Sequence, residues 1–280
     1  MQLAVRRIDA HQHFWAYTPQ DFGWIGEGME AIRRNFLPED LQRELAASHI
    51  DGAITVQVCQ TVPETEWLLD MAARYAFLRG VVGWVQLTDA TVADIIAPLA
   101  ANTRLKGLRH ILQDEPDDCY MLRPDFNAGI ARLRGFNLAY DILIYERHLP
   151  QTIEFVDRHP DQVFVLDHIA KPRIRGKILS PWRENIRELA RRANVYCKLS
   201  GAVTEANWNN WTAADLQPYL DTALEAFGPR RLMFGSDWPV LLLAGSYLQW
   251  TQVVNDSIAA LSDDERERIL GGTAIEAYRL

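Results

Sequence analysis

The 280-residue sequence predicts a closed barrel of eight parallel strands, each followed by a helix: a single (β/α)8 TIM barrel. Three observations carry that prediction. Short apolar runs alternate with longer amphipathic stretches from end to end, and the short runs number eight. Most are continuously apolar rather than alternating, as strands covered on both faces must be. No Gly-x-Gly-x-x-Gly turn follows the first run, which counts against the rival open, doubly wound sheet.

Taken in order, the runs are 5–10 (VRRIDA), 53–58 (AITVQV), 80–87 (GVVGWVQL), 105–110 (LKGLRH), 137–144 (NLAYDILI), 162–168 (QVFVLDH), 195–201 (VYCKLSG) and 231–236 (RLMFGS). Helical patterns separate them, among them PEDLQRELAASHI, ETEWLLDMAARYAF, LPQTIEFVDRHP and AADLQPYLDTALEAFG. Pro38 ahead of acidic residues marks a helix start, and Gly228-Pro229 marks a helix end. Two irregular stretches, 14–36 (rich in Trp and Gly) and 112–127 (rich in Asp and Pro), each follow a strand end. Both are therefore expected at the catalytic face.

The length is at the upper end of what one core supports, and no linker or internal repeat divides it, so residues 1–280 are expected to form one domain. Hydrophobic residues make up 48% of the chain and charged residues 24%, enough for a core without disulfide or metal staples. The net charge is −8, and the basic clusters are pairs only, which argues against nucleic acid as a partner. Cys59, Cys119 and Cys197 are too few and too scattered for a disulfide framework. No run approaches the roughly 20 apolar residues of a membrane span, and no secretory leader pattern is read. A cytoplasmic, small-molecule enzyme is the expectation; oligomeric state is not legible.

Chemistry concentrates at strand ends. The first strand leads into Asp9-Ala10-His11-Gln12-His13, and strand alternation points His11 and His13 the same way. Two imidazoles at that spacing can share a metal ion or a substrate oxygen. The sixth strand ends in Asp167-His168, one of which is expected to face inward. The eighth leads into Gly235-Ser236-Asp237, where a carboxylate can act as ligand or general base. Each pattern alone is also compatible with solvated loop residues or a helix cap. Together they bring strands one and eight, which are neighbours in a closed barrel, to one site.

With these motifs in place, the sequence resembles the amidohydrolase superfamily, and within it the lactonase-type group that includes sugar-lactone hydrolases. The resemblance spans nearly the whole chain, through DAHQHFW, LKGLRHILQDEP, LDHIAKP, YCKLSG and FGSDWPV. It implies catalytic roles for His11, His13, His168 and Asp237, the same four being the metal ligands of a mononuclear site. It places Arg109, on the fourth strand, where similar lactonases bind substrate. Members with two metals carry a His on strand five, which here reads Ala139-Tyr140-Asp141-Ile142, so a binuclear centre is not expected. Three imidazoles and a carboxylate suit one divalent ion such as zinc, and metal-free action stays open.

Lys198 and Ser200 share a face of strand seven, with Lys198 a candidate for the site. Trp15, Trp24 and Trp238 are candidate sugar-stacking surfaces. The resulting expectation is opening of a lactone ring, that of a sugar-acid lactone such as L-fucono- or L-rhamnono-lactone. A dicarboxylate or muconolactone-type lactone, or a metal-dependent decarboxylation, are the alternatives. A catalytically silent binding barrel would be expected to have lost one of the four site residues, and all four are present.

Overall fold

The computed structural model describes residues 7–280. Its strands are β1 Ile8–Gln12, β2 Gly52–Val56, β3 Leu78–Gly83, β4 Leu105–His110, β5 Ala139–Ile142, β6 Phe164–Leu166, β7 Val195–Leu199 and β8 Leu232–Phe234. Their order in the sheet is their order in the chain, and each consecutive pair is parallel. The seam between β8 and β1 closes through His13 N–H to the Trp238 carbonyl at 2.7 Å and Asp237 N–H to the His11 carbonyl at 2.8 Å. Residues 5 and 6 of the first expected run lie outside the described residues.

The helices are α1 Pro38–Ala47, α2 Val62–Arg74, α3 Val92–Ala100, α4 Pro124–Leu133, α5 Leu149–Asp157, α6 Trp182–Leu189, α7 Ala213–Phe227, α8 Tyr247–Ser257, α9 Asp263–Glu267 and α10 Thr273–Tyr278. Pro38 opens α1 and Gly228, at φ +65, closes α7. Outward strand residues such as Val81, Leu108, Tyr140 and Phe234 join the helices' apolar faces in the main core. A second, smaller cluster collects Ile8, Ile54, Val82, Ala139, Val165 and Met233 from six strands, which can meet only in the lumen. Ala274, Ala277 and Tyr278 of α10 belong to it and plug the amino-terminal end. The lumen is thus packed below and open only at the other end.

Several strands stop short of the apolar runs that announce them, and side chains of α2 cause two of these endings. The Glu64 carboxylate accepts the N–H groups of Val58 and Cys59, drawing the chain out of the β2 ladder. The Thr65 hydroxyl takes both backbone groups of Trp84, at 2.8 Å from N–H and 3.0 Å from C=O, so β3 ends at Gly83. No helix among the described residues is long and apolar enough to cross a membrane.

Candidate active site at the carboxyl end of the barrel

The register between β1 and β2 shifts between Asp9 and Gln12, where β1 carries one extra residue. That bulge resets the alternation, so Ile8 and Ala10 fill the lumen while His11 and His13 also turn inward. Asp9 points outward and accepts from Ser236 N–H (2.8 Å), Ser236 Oγ (2.6 Å) and Tyr247 OH (2.9 Å), fastening β1 to the residues that follow β8. His13 Nδ1 lies 2.8 Å from the Val56 carbonyl, which can only accept. The nitrogen therefore carries the proton, and a neutral His13 presents a bare lone pair at Nε2. That Nε2 faces His11 Nε2 at 3.1 Å.

Asp237 follows β8 in the left-handed region, at φ 58. Its Oδ1 lies 3.3 Å from His13 Nε2 and 3.8 Å from both His11 Nε2 and His168 Nε2. The four residues nominated from the sequence as the reaction centre therefore meet around one carboxylate oxygen, and all four are buried.

The end of β6 differs from simple alternation, because Asp167 and His168 both face inward. Four consecutive residues, His168, Ile169, Ala170 and Lys171, have φ between 47 and 61. The chain makes one left-handed turn, closed by Lys171 N–H on the His168 carbonyl at 2.8 Å. Non-glycine residues pay about 1–2 kcal/mol each for that conformation, and such strain concentrates at functional sites. Room for the His168 ring comes from Gly201: a Cβ there would stand 2.7 Å from its Cγ and Nδ1. Ser200 Oγ, 2.8 Å from His168 Nδ1, orients the ring.

Beneath the histidines lies a buried charge network. Arg109 meets Asp167 Oδ2 at 3.0 Å and donates to the Gln57 carbonyl. Lys198 contacts Asp141, lies 2.9 Å from Asp167 Oδ1 and donates to His11 Nδ1 at 3.1 Å. Tyr278 of the α10 plug donates to Asp141 at 2.7 Å. Alternation thus turned Arg109 and Lys198 inward as expected, and their partners are Asp141 of β5, Asp167 just after β6 and Gln57 just after β2. Lys198 has no exposed surface and no place on the cavity wall, so it is not positioned to touch substrate. Arg109 reaches the wall, with its guanidinium already engaged. Trp238 also misses the cavity, being packed edge-on against Phe14 and Phe36. His110 faces outward, stacked on Tyr120 at 5.1 Å.

Burial opposes ionisation of Asp237, but the imidazoles of His168, His13 and His11 outweigh it and hold its carboxyl well below the usual range. Asp167 is likewise driven down, against burial, by Lys198, His11 and Arg109. Burial pushes His168 down to about 4 and His11 well below an ordinary imidazole. At neutral pH His11 and His168 are therefore neutral imidazoles beside one carboxylate.

His13, His168 and Asp237 floor a cavity of about 420 Å³, with His11 buried behind them. Trp15, Trp24 and Met29 of the 14–36 stretch and Gln113 and Asp114 of the 112–127 stretch line it, so both irregular stretches lie at this face. Trp15 is buried with its indole N–H on the Arg34 carbonyl, whereas Trp24 is 45% exposed at the rim. Tyr145, Lys171, Glu205 and Trp208 also line the cavity and were not singled out from the sequence. Their one shared signal is position a few residues beyond β5, β6 and β7. A larger recess of about 740 Å³ sits at the amino-terminal end, where Arg268 and Glu276 pair at 2.6 Å and Arg231 donates to backbone carbonyls.

The donor set fits a divalent cation. One atom each from His11, His13 and Asp237 falls within 4.8 Å of the others, and the His13 nitrogen there is a lone pair with no protein donor other than His11. Two nitrogens and a carboxylate oxygen, with His168 alongside, match the preferences of zinc.

A family model described as amidohydrolase matches residues 8–280. The L-fucono-1,5-lactonase of Burkholderia multivorans is 42% identical over 289 residues, spanning 99% of this chain and 97% of that protein. The L-fucono-1,5-lactonase of Burkholderia ambifaria is 39% identical, spanning 98% of this chain and 96% of its own. A crystal structure of an amidohydrolase from Burkholderia multivorans with bound zinc superposes with a TM-score of 0.95 at 43% identity, covering 98% of this chain and 99% of that one.

Proposed function

The chain belongs to the amidohydrolase family, and from that premise we propose that residues 1–280 act as one catalytic domain that hydrolyses a sugar-acid lactone such as L-fucono-1,5-lactone. The observation that carries the reading is the meeting of three imidazole nitrogens around one ionised carboxylate, with His13, His168 and Asp237 on the floor of an aromatic-walled cavity and His11 buried behind them.

A lactone is a cyclic ester, and its opening needs a base, polarisation of the carbonyl and an acid for the leaving oxygen. In this reading Asp237 takes a proton from the attacking water as its oxygen adds to the carbonyl carbon. The acyl C–O bond then breaks, and the same proton passes from Asp237 to the ring oxygen, leaving a hydroxy acid. Ser200 donates to His168 Nδ1, so that His168 Nε2–H is free to stabilise the developing oxyanion. A divalent ion such as zinc, held by His11, His13 and Asp237 with His168 beside them, would supply further polarisation of the carbonyl. Trp24, with Trp15 packed edge-on against it, offers indole surface to the apolar face of the sugar.

A dicarboxylate lactone would call for several free cations. Among the described residues of the cavity wall, Arg109 is engaged with Asp167 and Gln57, leaving Lys171. A neutral, hydroxyl-bearing ring therefore suits this cavity better. The three cysteines, all unpaired, accord with a reducing cytoplasm. The test is a pH-indicator screen of sugar lactones, muconolactones and 2-pyrone dicarboxylates, before and after chelation. Acid release above the spontaneous rate with sugar lactones is expected; turnover only of the dicarboxylates, or of nothing, would overturn the reading.

A further inference from the structure

We propose that Lys171 and Glu205 are the specificity-determining pair of this site, the ammonium donating to one ring hydroxyl of the lactone and the carboxylate accepting from another. The inference rests on the lactonase reading and adds which residues read the sugar.

The left-handed turn after β6 is the first ground. A turn with three residues per repeat eclipses the first and fourth side chains. His168 and Lys171 are the first and fourth residues of that turn, and both side chains line the cavity. Lys171 holds the left-handed conformation as well, although it precedes Pro172. A proline would normally hold the preceding residue extended, so this conformation is imposed by the surroundings.

The second ground is how these charges are left. Both side chains are half-buried in the cavity wall. Among the described residues, the carboxylate of Glu205 and the ammonium of Lys171 make no direct hydrogen bond or ion pair; Lys171 acts on Glu205 only at longer range, where it favours the carboxylate. Lys171 Nζ stands 5.4 Å over the Tyr145 ring, which steadies the cation without using its donors. The two buried cations beneath the histidines, by contrast, are in direct ion pairs: Arg109 with Asp167, and Lys198 with Asp141. A half-buried cation and anion that line one cavity without touching leave their donors and acceptors to a ligand that has both, which is what vicinal hydroxyls provide.

The third ground is rigidity. Glu205 sits on a pinned loop: Arg175 N–H donates to its carbonyl at 2.9 Å, and Trp208 Nε1–H to the Thr204 carbonyl at 2.8 Å. The carboxylate is thus held by its backbone while its oxygens stay free.

The experiment compares kcat/KM for L-fucono-1,5-lactone with kcat/KM for δ-valerolactone, which has the same ring and no hydroxyl groups, in wild type, Glu205→Gln and Lys171→Met. Where the plain lactone turns over too slowly, the same comparison is made with inhibition constants of the two ring-opened acids. Each substitution is expected to lower the preference for the hydroxylated ligand by about 100-fold. The ratio separates recognition from a merely structural role, which would weaken both ligands alike. An unchanged preference in both variants overturns the inference while wild-type turnover leaves the lactonase reading standing. Wild type that opens no lactone overturns the reading, and this inference with it.

Discussion

The Nε2 atoms of His11 and His13 face each other at 3.1 Å, with Asp237 Oδ1 at 3.3 Å from the second of them. The Val56 carbonyl makes this arrangement informative, because by accepting from Nδ1 it leaves His13 Nε2 as a lone pair. A cation placed among these atoms would replace the one proton they share. Purified protein is therefore expected to take up no more than one equivalent of zinc, and His13→Ala to weaken that uptake at least about tenfold. Titration against a fluorescent zinc chelator measures both. Equal affinity in the variant would place the ion elsewhere.

Gly201 sets the position of His168. An alanine there meets the imidazole at 2.7 Å and must itself hold φ +65. Gly201→Ala should cost about 1–2 kcal/mol of stability from the backbone alone. Turnover should fall by more than tenfold, since a misplaced imidazole is a misplaced oxyanion donor. Melting curves and initial rates on the same preparation check the pair of effects. A stable variant with full activity would show that the ring is not held by this contact.

Lys198 is a buried counter-charge. Lys198→Met leaves Asp141 and Asp167 short of a cation, which typically costs 3–5 kcal/mol, of the order of a whole domain's margin. Adding Asp141→Asn should return part of that loss. Denaturant unfolding of the two proteins measures it. A Lys198→Met protein of native stability whose only defect is a raised KM would restore the substrate contact expected from the sequence.

His168 gives a pH dependence of stability with a definite sign. Burial lowers it from 6.5 to about 4, so the unfolded chain binds the extra proton first as pH falls. Its contribution is fully present above about pH 6.5 and is lost as pH falls toward 4, a span worth roughly 3 kcal/mol. The melting temperature of wild type should therefore drop more steeply than that of His168→Asn between pH 7 and pH 4.5. Parallel curves would mean that His168 titrates normally in the folded protein.

Much of this was legible in the sequence, and the exceptions have physical causes. The eight runs were readable because strands sandwiched between lumen and helices must be apolar on both faces, as β6 with Phe164, Val165 and Leu166 shows. His11, His13 and Asp237 were readable because strand ends project into the barrel mouth. Asp167 was only half readable: alternation allows one inward residue of the pair, and the left-handed φ of His168 makes it two. Lys171 lay inside a motif already noticed, but nothing in its neighbours announces a left-handed turn ahead of a proline. Glu205, Tyr145 and Trp208 lie on loops, where no period says which way a side chain turns. The engagement of Arg109 and Lys198 was not legible for another reason. Their partners, Asp141 and Asp167, sit on β5 and just after β6, so inward direction could be read while engagement could not.

The account stands on Asp237 as the group that moves the proton. The most direct measurement is the rate of acid release from L-fucono-1,5-lactone by Asp237→Asn and by wild type, with the spontaneous rate subtracted and folding verified by matching melts. Loss of the base should lower turnover by 100- to 10,000-fold. Turnover within a few-fold of wild type in the folded variant would contradict it.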